Sequence, residues 1–97
     1  MPTYITLFSF TQQGVENIKE SPARLDRVKA AIKAAGGEMK AFYLTMGRFD
    51  GVTISEAPND EAYAATLLAI AAAGAVRTET LKAFTEEEYR KIIASLP

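Results

Sequence analysis

At the middle of this chain, Met46-Gly47-Arg48-Phe49-Asp50-Gly51 separates two runs with the character of β-strands. Before it lies Glu38-Met39-Lys40-Ala41-Phe42-Tyr43-Leu44-Thr45, and after it Val52-Thr53-Ile54-Ser55-Glu56. Both runs are rich in aromatic, β-branched or long apolar side chains, and glycines punctuate the join. The reading is a central β-hairpin, with helical patterns placed almost symmetrically on either side. Gly47-Arg48 suits a two-residue type II′ turn, because glycine supplies positive φ at the first position. Asp50-Gly51 is a competing type I′ signal, but the first choice leaves two runs of more equal length.

The flanking segments follow from periodicity. Thr3 to Phe10 alternates Tyr4, Thr6, Phe8 and Phe10 with Ile5, Leu7 and Ser9. Both sets are largely apolar, so both faces of this strand are expected to be covered. Thr11 to Glu20 reads as a polar connector with at most one helical turn near Val15 and Ile18. Ser21-Pro22 signals a helix start, with the serine as N-cap and the proline at the first helical position. Leu25, Val28 and Ile32 then form an apolar stripe. Arg24, Arg27, Lys29 and Lys33 read as a solvated helix face rather than an anion site, and Gly36-Gly37 stops the helix.

Asn59 caps a second helix, whose stripe is Tyr63, Leu67, Ile70 and Gly74 in an alanine-dense segment. A fourth strand-like run spans Ala75 to Phe84. Thr85 and Glu88 form a capping box for a short last helix with Tyr89, Ile92, Ile93 and Leu96 on one side. The order β-α-β-β-α-β plus a closing helix predicts an α+β, ferredoxin-like antiparallel sheet with both main helices on one face. The other sheet face is then bare and apolar, the mark of an interface.

Composition narrows the chemistry. With 97 residues, the chain reads as one domain, 1–97. It has no histidine and no cysteine, so imidazole and thiolate catalysis, structural zinc and histidine- or cysteine-ligated haem cannot come from it. Carboxylates show no metal-binding spacing, and neither metal nor cofactor is expected. A formal net charge of −1 argues against a nucleic-acid surface, and no apolar run is long enough for a membrane span. The first residues show no secretory leader pattern, and cytoplasm is the expected compartment.

Three stretches resemble the GYD domain family of small bacterial and archaeal proteins: Ser21-Pro22-Ala23-Arg24, Phe42 through Asp50, and Arg77 through Glu86. The name-giving Gly-Tyr-Asp cluster is similar to Gly47, Phe49 and Asp50, with phenylalanine in place of the tyrosine and its hydroxyl absent. The resemblance implies a ferredoxin-like fold that pairs into a dimeric α/β barrel. The wider superfamily includes small monooxygenases, isomerases, dehalogenating or decarboxylating enzymes and haem proteins, so the fold selects no activity.

The functional expectation is a homodimer, or a multiple of it, that binds a small molecule in the cavity of its barrel. Candidate ligand-binding residues are Tyr4, Thr6, Phe8, Tyr43, Thr45, Thr53, Arg48 and Asp50, in a cavity to which Phe10, Phe42 and Ser55 also contribute. For Arg48 and Asp50, turn chemistry competes with a ligand role. One alternative is a cofactor-independent enzyme, monooxygenase- or isomerase-like, with Glu79, Arg77 and Glu56 as catalytic candidates through a carboxylate acid or base. For Arg77 and Glu79 an interface ion pair competes with that role. The other alternative is a purely structural self-associating module.

Overall fold

The computed structural model describes all residues, Met1–Pro97. Four antiparallel strands form one sheet: β1 (Thr3–Phe10), β2 (Glu38–Leu44), β3 (Gly51–Glu56) and β4 (Val76–Ala83), in the order β2-β3-β1-β4. The helices are α1 (Gln12–Glu16), α2 (Ser21–Ala34), α3 (Asp60–Ala73) and α4 (Glu86–Ala94). This α+β arrangement is compatible with a ferredoxin-like fold. It departs from the bare β-α-β-β-α-β outline by α1, by a 3₁₀ turn at Ile18–Glu20, and by the appended α4.

The strand register sorts the side chains. Tyr4 stands opposite Ser55 and Lys82, Thr6 opposite Thr53 and Thr80, and Phe8 opposite Gly51 and Thr78. This set faces α2 and α3, and Tyr4, Thr6, Phe8, Thr53 and Ser55 are buried. The other set holds Ile5 opposite Ile54 and Leu81, Leu7 opposite Val52 and Glu79, and Tyr43 opposite Val52. No element of the chain covers that second face, so the two-sided apolarity of β1 is met on one side only.

Helix ends show where local sequence rules hold. Asn59 accepts from the Ala62 N–H at 2.8 Å, and Gly74 stops α3 in the left-handed region at φ 85°. Thr85 and Glu88 form the reciprocal capping box of α4. Ser21, by contrast, does not cap α2. The 3₁₀ turn delivers the chain already in helical dihedrals, so the preceding Glu20 takes the cap position and no side chain closes it. The connector before it is more ordered than polarity suggests. Thr11 caps α1, its N–H donates to the Ala75 carbonyl at 3.0 Å, and Gln13 reaches the Ala73 carbonyl.

The central hairpin is also different from a two-residue turn. Leu44 pairs with Gly51, leaving Thr45 to Asp50 as its loop. The loop is drawn toward β1 by Asp50, whose N–H donates to the Phe8 carbonyl and whose carboxylate accepts from the Phe10 N–H, both at 2.8 Å. Thr45 closes the base, donating from its N–H to Asp50 and from its hydroxyl to Phe49. Gly51 must lack a side chain, since a Cβ there would overlap the Phe8 ring.

Asp50 thus extends the hydrogen bonding of β1 past the end of β3. Asp50→Ala is expected to lower stability by about 1–2 kcal/mol, the cost of a half-buried N–H losing its acceptor. Asp50→Asn keeps an acceptor oxygen and should cost less than half as much. Urea denaturation of the two variants checks the order.

Candidate functional site

The layer between sheet and helices is closed at one end and open at the other. At the closed end Tyr4, Ile32, Ala57 and Tyr63 form the core, with Val28, Met39 and Leu67 against it. The Tyr4 and Tyr63 rings stack at 4.3 Å between centroids and 11° between planes. Their hydroxyls diverge. Tyr63 is hydrogen-bonded to Thr6 at 2.7 Å, and Thr6 in turn to Thr80 at 2.9 Å. Tyr4 donates to Asp60 Oδ1, and Lys82 approaches the other oxygen of that carboxylate at 3.1 Å.

Beyond Tyr63 the same layer widens into a cavity of about 460 Å³, within the usual size of a small-molecule site. Its floor is the sheet, through Thr6, Phe8, Phe10, Phe42 and Thr53, and its walls are α2 and α3. Leu25, Val28, Leu67 and Ile70 point the two helical stripes into it. Sixteen of the 24 lining residues are hydrophobic, and the only charged ones are Arg24 and Arg27. The hydroxyl-bearing residues Thr6, Ser21, Thr53, Tyr63, Thr66 and Thr78 are its other polar points.

The candidate residues therefore divide. Thr6, Phe8 and Thr53 line the cavity together, with Phe10 and Phe42. Tyr4 and Ser55 lie outside the lining, at the closed end, where the Ser55 hydroxyl is fully buried with no hydrogen-bond partner in the chain. Tyr43, Glu56, Arg77 and Glu79 lie on the opposite, uncovered sheet face. Glu56 pairs there with Lys40 at 3.4 Å, while Arg77 and Glu79 have no ion-pair partner in the chain. Thr45, Arg48 and Asp50 belong to the hairpin loop, where Arg48 sits over the Phe49 ring at 5.4 Å and Asp50 serves the backbone. Residue pattern alone placed all these groups around one space between two sheets. The register sends them to both sides of a single sheet.

The larger helical residues that line the cavity carry no sign of it in the sequence. Leu25, Val28, Leu67 and Ile70 register as core stripe, and Arg24 and Arg27 as solvated face. A stripe that packs and a stripe that lines a cavity have the same period, so periodicity could not separate them. The available signal was the run of small residues, since Ala31, Ala69, Ala73 and Ala75 all line the space.

The electrostatics at the closed end are those of a structural pair. Burial pushes the Tyr4 phenol up to about 12, helped by its hydrogen bond to the Asp60 carboxylate. That same bond holds Asp60 below its ordinary range, with Lys82 adding to it. For Tyr4 the raised value means that its stabilisation is complete below pH about 10 and is lost as pH rises toward about 12. For Asp60 the contribution is present above about pH 4 and fades as pH falls below it. Stability measured by thermal melts should therefore fall between pH 10 and 12. Tyr4→Phe is expected to flatten that limb while lowering the neutral-pH plateau.

Comparison with known proteins agrees with this architecture. The family described as GYD domain matches residues 4–93. A Thermus thermophilus protein named glutamine synthetase and cystathionine beta-lyase binding protein is 33% identical over 84 residues, 86% of this chain and 88% of that protein. The crystal structure of TTHA0845 from Thermus thermophilus superposes with a TM-score of 0.56 at 23% identity, covering 88% of this chain and 95% of that one. The last likeness bears on the fold.

Proposed function

We propose that this chain, which belongs to the GYD domain family, is a homodimeric binding protein that holds a small molecule between its sheet and its helices. The observation that carries the proposal is the apolar cavity, bounded by two helices and floored by a sheet whose hydroxyls are few and spaced. Such a site orients a ligand through one or two hydrogen bonds and holds it by burial. The cavity lies on the far side of the sheet from Glu56, Arg77 and Glu79. Binding there calls on none of these groups, and an enzymatic role for them belongs to the space between two paired sheets.

Self-association is supported by surface area. The chain exposes 6693 Å², whereas a compact monomer of 10.5 kDa exposes about 5,400 Å². Its radius of gyration is 14.6 Å, against about 12.5 Å for a compact chain of this length. The excess is more than the roughly 800 Å² that each partner contributes to a stable interface. Part of the exposed surface is apolar: Leu81 and Tyr43 on the open face and Tyr89, Ile92 and Ile93 of α4 are exposed, with Ile5, Leu7, Val52 and Ile54 half-buried. A second copy on this face closes two sheets into a barrel.

A second reading is docking onto an enzyme, the property stated in the name of the Thermus thermophilus relative for that protein. The feature that favours it is α4. Tyr89, Ile92 and Ile93 form its apolar side, Leu96 lies just beyond its end, and all four are exposed; the helix makes no substantial packing contact with the rest of the chain. No helix of the chain is long and apolar enough to cross a membrane.

Native mass spectrometry separates these readings. The wild type is expected as a dimer, and Leu81→Glu, at a site 52% exposed in the single chain, should yield folded monomer. A monomeric wild type at micromolar concentration overturns the dimer. For the cavity, an apolar fluorescent dye should bind with about one site per chain, and Leu67→Trp should reduce that binding at least tenfold without unfolding the protein. Full dye binding in Leu67→Trp would place the ligand elsewhere.

A further inference from the structure

Resting on the cavity as a binding site, we propose that its ligand is an amphiphilic organic acid, with a single carboxylate held by Arg24 and an apolar body lying over the sheet. The charge of the lining is one-sided, because Arg24 and Arg27 are its only ionised groups and no carboxylate reaches it. Arg24 sits in the first turn of α2. Its Nη1 donates to the Asn17 carbonyl at 3.0 Å, while its Nη2 is buried and bonded to nothing. No Asp or Glu of the chain pairs with it.

A guanidinium stays ionised at any physiological pH. Within the chain, Arg24 meets only the Asn17 carbonyl, and no carboxylate balances its charge. A ligand carboxylate in the cavity supplies that counter-charge in a charge-assisted contact. The rest of the lining sets the ligand's body. Phe8, Phe10, Phe42, Leu25, Leu67 and Ile70 would stay wet against a hydrophilic acid, and a neutral hydrocarbon would leave the guanidinium without a counter-charge. A polyphosphate carries more charge than two arginines can meet among so few other polar groups. A monoanion with an apolar chain or ring meets both conditions.

The test is competition against the apolar dye with octanoate, decanoate and dodecanoate, and with octanol as the neutral counterpart. Octanoate is expected to bind at least tenfold tighter than octanol, and affinity should rise about fourfold per added methylene until the cavity is full. Arg24→Gln should remove most of the octanoate preference over octanol, Arg27 keeping the remainder, and Arg24→Lys should restore part of it. An octanoate preference undiminished in Arg24→Gln overturns the role of Arg24. Circular dichroism and thermal melts show that the variants are folded. Equal binding of octanoate and octanol to the wild type overturns the acid and leaves the cavity standing. If the dye binds and neither octanoate nor octanol displaces it, the amphiphile class fails. If the dye itself finds no site, the cavity reading falls as well.

Discussion

The stacked pair of Tyr4 and Tyr63 decides how the helical layer sits on the sheet. Tyr4 comes from the central strand β1, and Tyr63 from the first turn of α3. Two flat rings at 4.3 Å leave little freedom in the distance between strand and helix. Their hydroxyls then restrict rotation, because Tyr63 must reach Thr6 and Tyr4 must reach Asp60. A buried hydroxyl without a partner is costly, so α3 cannot slide along the sheet without breaking both bonds. Lys82 of β4 meets the same Asp60, which brings an outer strand into the arrangement. Tight packing is thereby concentrated at one end, and the separation of sheet and helices at the other end follows from it.

Much of this fold can be read from residues whose local chemistry has one outcome. Asn59 can cap, Gly74 can take positive φ, and Thr85 with Glu88 can close a helix start; each does so. The family resemblance carried by Phe42 to Asp50 likewise corresponds to the match over residues 4–93. Where two local solutions compete, tertiary contacts decide. Ser21 was an adequate cap until the 3₁₀ turn ahead of it occupied helical space. Gly47-Arg48 was an adequate turn until Asp50 found acceptor and donor on β1, a strand about forty residues away in the chain. Such long-range bonds leave no trace in a short window of sequence.

The residues of the cavity floor were legible in type and not in place. Thr6, Phe8 and Thr53 are recognisable as apolar and hydroxyl-bearing strand positions, and they do meet at one cavity. Which side of the sheet receives α2 and α3 is a separate matter. A strand that is apolar on both faces, as β1 is, gives no preference by alternation alone. The choice is set by Tyr63 and Ile32, which supply partners for Tyr4 and not for Ile5 or Leu7. Once it is made, Glu79 and Arg77 are separated from Thr6 and Phe8 by the thickness of the sheet, and a constellation that looks continuous in sequence becomes two surfaces.

The alanines explain why one of those surfaces is hollow. Helices that face a sheet ordinarily fill the intervening layer with leucine, isoleucine or phenylalanine, to the density of a crystal. Here Ala31 on α2, Ala69 and Ala73 on α3, and Ala75 just after it stand where larger groups would close the space. Alanine strengthens both helices by propensity, so the same residues that stabilise the walls withhold the filling. Packing gathered at Tyr4 and Tyr63, walls of high helical propensity and small side chains at the open end together leave the cavity between sheet and helices. That combination is a sounder guide to a binding site than the presence of any single reactive group, and in a chain without histidine or cysteine it is the guide that remains.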